Sequence, residues 1–326
     1  MQVSPSVRAV QVPDDSPMHP QFTTIYLVGR GQVLTIDSGE DAERYRWMFK
    51  GYLAATEHAE IGQSVVTHYH IDHSSNLRWL RDQFGTEVHV LEAAKPLIGE
   101  RLPETGVHEI ADGDEVGPGG GVKVRAVLTP GHSPDSLSYY LEDEGVLFTG
   151  DTVLGEGTTT VNDLATYLQS LKRLRSLPNL RVICPGHGPL IEDPAQRIDL
   201  YIKHRELRER QVLKALATGD AMSSWQIMEL LYPDINPRLR RSADGNVRAH
   251  LSKLAKEGRI TVYDGKRRDG STAESAEAEA AEHARQEVIL QADAHREEAR
   301  RRALFLQENP PTAEWEEPPR YELIRR

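Results

Sequence analysis

The stretch "THYHIDHSS", residues 67–75, places three histidines and one aspartate within six positions. It directly follows a short apolar run that is typical of a buried strand. Alternate residues of an extended chain share a face, so His68 and His70 are expected to point the same way. Asp72 and His73 come after the turn and can face a second point. The spacing therefore predicts a metal-binding loop at a strand end that serves two neighbouring sites.

Three later turns offer the remaining ligands. They are "TPGHS" (129–133) with His132, "FTGDT" (148–152) with Asp151 and "CPGHG" (184–188) with His187. A Pro-Gly pair before each histidine favours a tight bend that turns the next side chain outward. Asp151 ends an apolar strand, and a carboxylate can bridge two cations with one oxygen on each. Imidazole and carboxylate donors without a thiolate favour two Zn ions, with Fe or Mn as alternatives.

These motifs resemble, in content and order, those of the metallo-β-lactamase-fold hydrolases over about residues 20–192. The resemblance implies an α/β fold, an αββα sandwich with a binuclear site in a groove at its edge. By position it implies His68, His70 and His132 on one metal, Asp72, His73 and His187 on the other, and Asp151 bridging both. Asp72 and Asp151 would be catalytic, Asp72 by accepting a hydrogen bond from the attacking water. A zinc β-lactamase is disfavoured, because those enzymes typically place a cysteine where Asp151 stands.

A closer resemblance extends further along the chain. "GDTVLGEGTTTVNDLATYLQSLKRL", "CPGHGPLIEDPAQRIDLYIKHRELRERQVL" and "NVRAHLSKLAKEGRI" are similar to the lactamase-β-like protein 2 subfamily. That subfamily joins the metal domain to a winged-helix-like domain and includes a single-strand-selective endoribonuclease; fungal acyl-carrier thioesterases share much of the pattern. The family often has Ser-Gly-Gly after the DH pair, whereas this chain has Ser74-Ser75-Asn76. We expect this departure to narrow the loop beside the metals.

The pattern along the chain predicts three parts. Residues 1–193 alternate strands and helices and form the metal hydrolase domain, and residues 194–268 form a small winged-helix-like domain. The window 236–268 has ten basic and three acidic residues, a net charge of 10 − 3 = +7, and is either a phosphate-binding face or a solvated helix surface. Residues 269–326 are rich in Ala, Glu and Arg and predict a helical acidic tail, partly disordered, with a poorly ordered Pro- and Glu-rich end.

Composition limits the compartment and the partners. The chain has 326 residues, a net charge of −11 and a single cysteine, Cys184, so an intrachain disulfide is excluded. It lacks an apolar stretch long enough to span a membrane, and its N-terminus lacks the apolar core of a secretory signal. We therefore expect no membrane partner and a cytoplasmic or organelle-matrix location, not a secreted protein. An oligomer is possible, and its size is left open.

The metal site predicts hydrolysis, because two zinc ions that share a water lower its pKa to about 7 and make a metal-bridging hydroxide. The first hypothesis is a zinc-dependent phosphodiesterase, an endoribonuclease on single-stranded RNA. The alternative is a thioesterase that acts on acyl-carrier or glutathione thioesters, which suits the net charge of −11 better. A binding protein with a vestigial metal domain is disfavoured by the complete ligand set.

Two further residues carry open alternatives. Asp37 in "TIDSG" either orients a ligand histidine or caps an Asx turn. His250 on the third helix of the winged-helix-like domain is either structural or a partner contact. Cys184 lies in an apolar strand and is expected to pack in the core.

Overall fold

The computed structural model describes residues 1–13, 22–56, 59–267 and 315–324. The chain divides into two compact units, Met1–Thr159 with Thr166–Tyr201, and Thr160–Ala165 with Ile202–Arg326. This division falls inside a helix, between Tyr201 and Ile202, whereas the predicted boundary lies between residues 193 and 194.

The first unit contains two sheets, each with its strands in chain order. Within the described residues the first sheet has seven strands: β1 (Gln2–Ser4), β2 (Val7–Pro13), β3 (Phe22–Arg30), β4 (Gln32–Ile36), β5 (Glu60–Val65), β6 (Glu87–Val90) and β7 (Val107–Glu109). The second has five: β8 (Glu115–Gly119), β9 (Val122–Leu128), β10 (Leu137–Leu141), β11 (Val146–Gly150) and β12 (Val182–Pro185). The strands β1 to β4 pair antiparallel and β4 to β7 pair parallel. The strands β10 and β11 form an antiparallel hairpin.

The two sheets pack face to face around one apolar core. Tyr26 and Val28 of β3 meet Tyr139 of β10 and Phe148 of β11 there, and the Tyr26 and Phe148 rings lie 5.2 Å apart between centroids. Cys184 is fully buried in the same core, as expected. Because side chains alternate along a strand, the other residues of β3 face outward from this core.

Helices connect several of the strands. They are α1 (Glu43–Ala55), α2 (Ile71–Ser74), α3 (Leu77–Phe84), α4 (Lys95–Ile98) and α5 (Leu164–Arg175). Of these, α1 and α5 pack beside the first and the second sheet. Ile25 and Leu27 of β3 pack against Tyr45 and Phe49 of α1. On the second sheet, Ser170 of α5 donates to the backbone carbonyl of Pro130, 2.7 Å away. The first unit is therefore the predicted αββα sandwich.

The second unit has the order of a winged helix. It contains the C-terminal part of α6 (Pro194–Leu216), then α7 (Ser224–Leu231), α8 (Arg240–Lys256), β13 (Ile260–Tyr263) and β14 (Lys266–Arg267). Ser223 caps α7 in a capping box with Gln226. Apolar side chains of all three helices and of Ile260 form its core.

The end of the chain departs from the predicted helical tail. Residues 315–324 form β15 (Trp315–Glu317) and β16 (Arg320–Leu323), which pair antiparallel with β14 and β13. Tyr321 and Met222 exchange backbone hydrogen bonds of 2.9 and 3.0 Å, and Leu323 packs against the core of the unit. The prediction is wrong for this segment, because pairing with β13 and β14, which form the wing, satisfies its backbone hydrogen bonds. The rest of the predicted tail, residues 269–314, 325 and 326, lies outside the described residues. No helix in the described ranges is long and apolar enough to cross a membrane.

Candidate metal centre

The ligand loop leaves the first sheet at the end of β5. Two residues, Val66 and Thr67, separate β5 from His68, and the single turn α2 begins directly after His70. The backbone carbonyl of His70 accepts from the amides of His73 and Ser74, both at 3.0 Å, which closes this turn. His68, Asp72 and His73 are buried, so the loop directs these polar side chains inward.

The three later turns approach the same place. His132 follows β9, Asp151 follows β11 directly, and His187 follows β12. All three are buried, at 4, 9 and 1% exposure. The approach requires a glycine before His187: a Cβ on Gly186 would lie 2.6 Å from Cε1 of His73 and 2.7 Å from Oδ1 of Asp151.

The structure brings all seven predicted ligands into two adjacent clusters. His68, His70, His132 and Asp151 offer donor atoms within 4.8 Å of one another, and so do Asp72, His73 and His187. In the first cluster, Nδ1 of His70 lies 2.8 Å from Nε2 of His68 and 3.2 Å from Nε2 of His132. In the second, the Nε2 atoms of His73 and His187 are 3.3 Å apart.

Asp151 faces both clusters with different oxygens. Its Oδ1 lies 3.4 Å from Nε2 of His73 and 3.4 Å from Nε2 of His187, whereas its Oδ2 lies 3.8 Å from Nε2 of His132. Oδ2 of Asp72 lies 3.0 Å from Nε2 of His187. This arrangement is the one a bridging carboxylate requires.

In four of the five histidines a neighbouring side chain contacts Nδ1, so that Nε2 points towards the clusters. The partners of Nδ1 are Thr67 for His68 (3.1 Å), Asp37 for His73 (2.7 Å), Thr159 for His132 (2.9 Å) and Thr23 for His187 (3.2 Å). Such partners orient a ligand ring and set its tautomer. Only Asp37 is among the residues singled out from the sequence. The threonines carry no motif, because they become neighbours of the rings through folding.

Asp37 orients His73, a predicted ligand, rather than capping its own turn. Its Oδ1 accepts from the backbone amide of Thr67 at 2.7 Å, and its Oδ2 accepts from the Thr67 hydroxyl at 2.9 Å and contacts Nδ1 of His73 at 2.7 Å. Its φ of +66° is unusual for a residue other than glycine. The loop therefore accepts local strain to hold this carboxylate against His73.

The charges of the two clusters differ. Burial lowers the pKa of His68 well below its usual value and, with His132, lowers the pKa of His70 to about 3. Both shifts favour the neutral ring, the state in which imidazole binds a cation. Burial also acts on His73, but Asp72, Asp37 and Asp151 outweigh it and raise its pKa well above the usual range. Against burial, Asp151 raises the pKa of His187 to about 9. The second cluster thus stabilises positive charge.

The donors fit a pair of divalent cations. Oδ1 of the buried Asp151 has no hydrogen-bond partner within the described part of the chain, although it faces two imidazole nitrogens. A buried carboxylate oxygen in that state is costly unless a cation or proton meets it. Nitrogen and oxygen donors without sulfur are those that zinc, iron and manganese accept. The two clusters suggest a binuclear centre and leave the identity of the metal open.

The residues at 74–76 that depart from the family pattern contribute buried polar side chains to the ligand loop. Ser74 and Asn76 are fully buried. The Ser74 hydroxyl contacts the carbonyls of Tyr69 (2.8 Å) and His70 (2.9 Å), and Arg101 donates to both Ser74 and the Tyr69 carbonyl. These side chains brace the loop from within.

Half of the basic residues in the window 236–268 pair with carboxylates. Five of its side chains lie within 3.3 Å of a carboxylate. The pairs are Arg248 with Asp244, Lys253 with Glu209, Lys256 with Asp163, Arg259 with Glu209 and Lys266 with Glu316. These are five of the ten basic residues in the window. His250 is 2% exposed, and neither ring nitrogen has a partner among the described residues, which places it in the interior of this unit.

Comparison with known proteins extends these findings. Residues 19–187, more than half of the chain, match the family model of the metallo-beta-lactamase superfamily. The chain belongs to this superfamily. Residues 223–268 match the beta-lactamase associated winged helix domain. The first matched range contains all seven candidate ligands, and the second contains α7, α8 and the wing strands β13 and β14.

Two relatives illustrate the range of the superfamily. The chain is 35% identical over 263 residues to a beta-lactamase-like protein 2 homolog of Caenorhabditis elegans, which covers 78% of this chain and 86% of that protein. It is 40% identical over 214 residues to an atrochrysone carboxyl ACP thioesterase of Aspergillus fumigatus, 65% of each chain. Among solved structures, a beta-lactamase domain protein from Burkholderia ambifaria has a TM-score of 0.73 at 22% identity, covering 83% of this chain and 91% of that one. This last similarity supports the fold alone.

Proposed function

We propose that this protein is a metal-dependent thioesterase that cleaves an acyl group from a carrier protein. The observation that carries the choice of substrate is the pairing of the basic window with carboxylates. Five of its ten basic residues already have acidic neighbours. A face that binds nucleic acid needs cations that are available to phosphates. The similarity to a carrier-protein thioesterase supports the same choice.

The proposed ligands are those predicted from the sequence. One zinc would be held by His68, His70 and His132, the other by Asp72, His73 and His187, with Asp151 on both. Bound cations supply water of lowered pKa at neutral pH and offset the negative charge that develops on oxygen during attack. Iron or manganese would fit the same donors.

Side chains of this chain orient the attacking water and hold the ligand rings. Asp72, buried beside His187, accepts a hydrogen bond from the attacking water and aims it at the thioester carbonyl. The water oxygen bonds to the carbonyl carbon, the carbon–sulfur bond breaks, and one proton of the water ends on the leaving sulfur, so the products are a carboxylic acid and the carrier thiol. Thr159 and Asp37 keep the rings of His132 and His73 in place through Nδ1. The burial of the ligands limits competing water at the centre.

The experiment compares two substrate classes on the purified full chain. An acyl thioester on a carrier protein and a single-stranded RNA are assayed side by side, with and without a chelator. We expect chelator-sensitive release of the carrier thiol and no RNA cleavage. A glutathione thioester serves as a third substrate and shows whether the carrier protein is required.

A matched pair of variants locates the activity. Asp151→Ala should lower thioester turnover by more than the roughly 10- to 100-fold that loss of a supporting partner costs. Asp82→Ala, which removes an exposed carboxylate on α3, should leave turnover unchanged. Metal-dependent RNA cleavage without thioester hydrolysis would overturn the proposal in favour of the endoribonuclease.

A further inference from the structure

Asn76 joins the ligand loop to the loop that carries Asp37. Its side-chain amide nitrogen donates to the backbone carbonyl of Ser38 at 3.2 Å and to that of Glu40. Its amide oxygen accepts from Nε of Arg46 at 3.1 Å, and its backbone amide donates to the Ser38 hydroxyl at 3.1 Å. Because carbonyls lie on one side and a guanidinium on the other, only one orientation of the amide satisfies all three side-chain contacts.

The loop that Asn76 holds is bound directly to His73. The backbone amide and the hydroxyl of Ser38 both donate to the His73 carbonyl, at 2.7 and 3.0 Å. Next to Ser38, the carboxylate of Asp37 contacts Nδ1 of the His73 ring at 2.7 Å. His73 is therefore held at its backbone and at its ring by two consecutive residues.

The backbone at Asp37 needs such support. A residue other than glycine at a φ of +66° carries a conformational cost of about 1–3 kcal/mol that the surroundings must compensate. Asn76 binds the carbonyl of Ser38, the very next residue, and is itself fully buried. Removing its amide would free this loop to relax away from the strained conformation.

We propose that Asn76 is a positioning residue for the second metal cluster. It acts through the loop of residues 37–40, which sets the position and tautomer of His73. This inference rests on the proposed metal centre. In the first cluster, His68 is also linked to Asp37, because Thr67 contacts both of them. The ring of His132 is held by Thr159 instead. The loss of Asn76 therefore weakens one metal position more than the other.

The test measures metal binding and does not depend on the substrate. Zinc-loaded Asn76→Ala is dialysed against graded concentrations of a chelator, and the zinc retained per chain is measured. We expect one of two equivalents to be lost at about tenfold lower chelator concentration than in the wild type, at the lower end of the effect of groups that support a ligand. The other equivalent should be lost near the wild-type concentration.

Ser75→Ala is the matched control. Ser75 adjoins Asn76, and its backbone amide donates to Gly39 and Ile71, so the alanine keeps these bonds. It should retain zinc as the wild type does. If Asn76→Ala does not fold, Arg46→Ala replaces it, because Arg46 is partly exposed and holds the Asn76 oxygen; the same selective loss is then expected, to a smaller extent.

The outcomes separate the two proposals. Release of both equivalents at wild-type chelator concentrations, or an equal effect of Ser75→Ala, would overturn the role of Asn76 and leave the metal centre intact. A wild-type chain that binds fewer than two zinc ions would overturn the metal centre and this inference together.

Discussion

Replacing Asp37 by asparagine removes the negative charge beside Nδ1 of His73, a proposed ligand, and keeps the size and shape of the side chain. The carboxylate meets three hydrogen-bond groups: the Thr67 amide, the Thr67 hydroxyl and Nδ1 of His73. An asparagine has one acceptor oxygen and one donor group. If the oxygen faces the Thr67 amide, the NH₂ group faces His73 and moves the ring proton to Nε2, where it blocks a cation. If the asparagine is reversed, two donors oppose each other in the interior.

Either orientation loses a hydrogen bond to a charged group, which is worth about 1.5–3 kcal/mol. At about 1.4 kcal/mol per factor of ten, the affinity for the metal bound by His73 should fall about 10- to 150-fold. The affinity of the other position should change less, because His70 and His132 make no contact with Asp37 among their observed bonds.

The assay is competition with a chromogenic chelator at neutral pH, with total metal measured in parallel. Glu43→Gln, which neutralises an exposed carboxylate at the start of α1, controls for the change in net charge and should bind both ions as the wild type does. If Asp37→Asn binds both equivalents within about threefold of the wild type, which is less than 1 kcal/mol, His73 does not depend on Asp37.

Three further predictions concern the rest of the molecule. Burial, then Arg205 and Lys253, lowers the pKa of His250 to about 3. Below about pH 6.5 the unfolded chain therefore takes up a proton that the folded chain does not, and the free energy of unfolding should fall with decreasing pH by up to about 1.4 kcal/mol per pH unit. His250→Leu should reduce this slope in denaturant titrations. Leu323→Ala should destabilise the second unit by about 1–2 kcal/mol, less than the loss of a fully buried leucine, and an unchanged denaturation midpoint would show that β16 does not support this core. Lys256→Ala should leave any RNA affinity and its salt dependence unaltered, because Lys256 already pairs with Asp163 at 3.3 Å; a reduced salt slope would show that this cation is available to phosphate.

The convergence of the candidate ligands could be predicted because their residue types are specific and each lies in a recognisable local motif. The close spacing of His68 to His73 shows the loop, and each later ligand sits in a turn that a Pro-Gly or Gly-Asp pair marks. The structure brings them together without exception. Thr23 and Thr159 could not be found this way, because a threonine beside a ring becomes informative only after distant strands have met.

The basic window illustrates what a local charge count omits. Its net charge of +7 is correct for residues 236–268, but Glu209, Asp163 and Glu316 come from outside that window. Charge along a sequence therefore overstates the charge of the surface. This difference is the physical reason why we propose a thioester substrate rather than RNA.

The last strand was missed for a related reason. "WEEPPRYELI" is rich in Glu and Pro, which favours disorder when it is considered alone. In the structure its two halves pair with β14 and β13, which lie much earlier in the chain, and the two prolines lie between β15 and β16. Such pairing depends on tertiary contacts and leaves little trace in local composition.

The most direct test of the central claim is a crystal structure of the zinc-loaded protein with anomalous scattering measured at the zinc edge. The account predicts two ions, one contacted by His68, His70 and His132, the other by Asp72, His73 and His187, with one oxygen of Asp151 on each. A single ion, or ions bound away from these side chains, would contradict it.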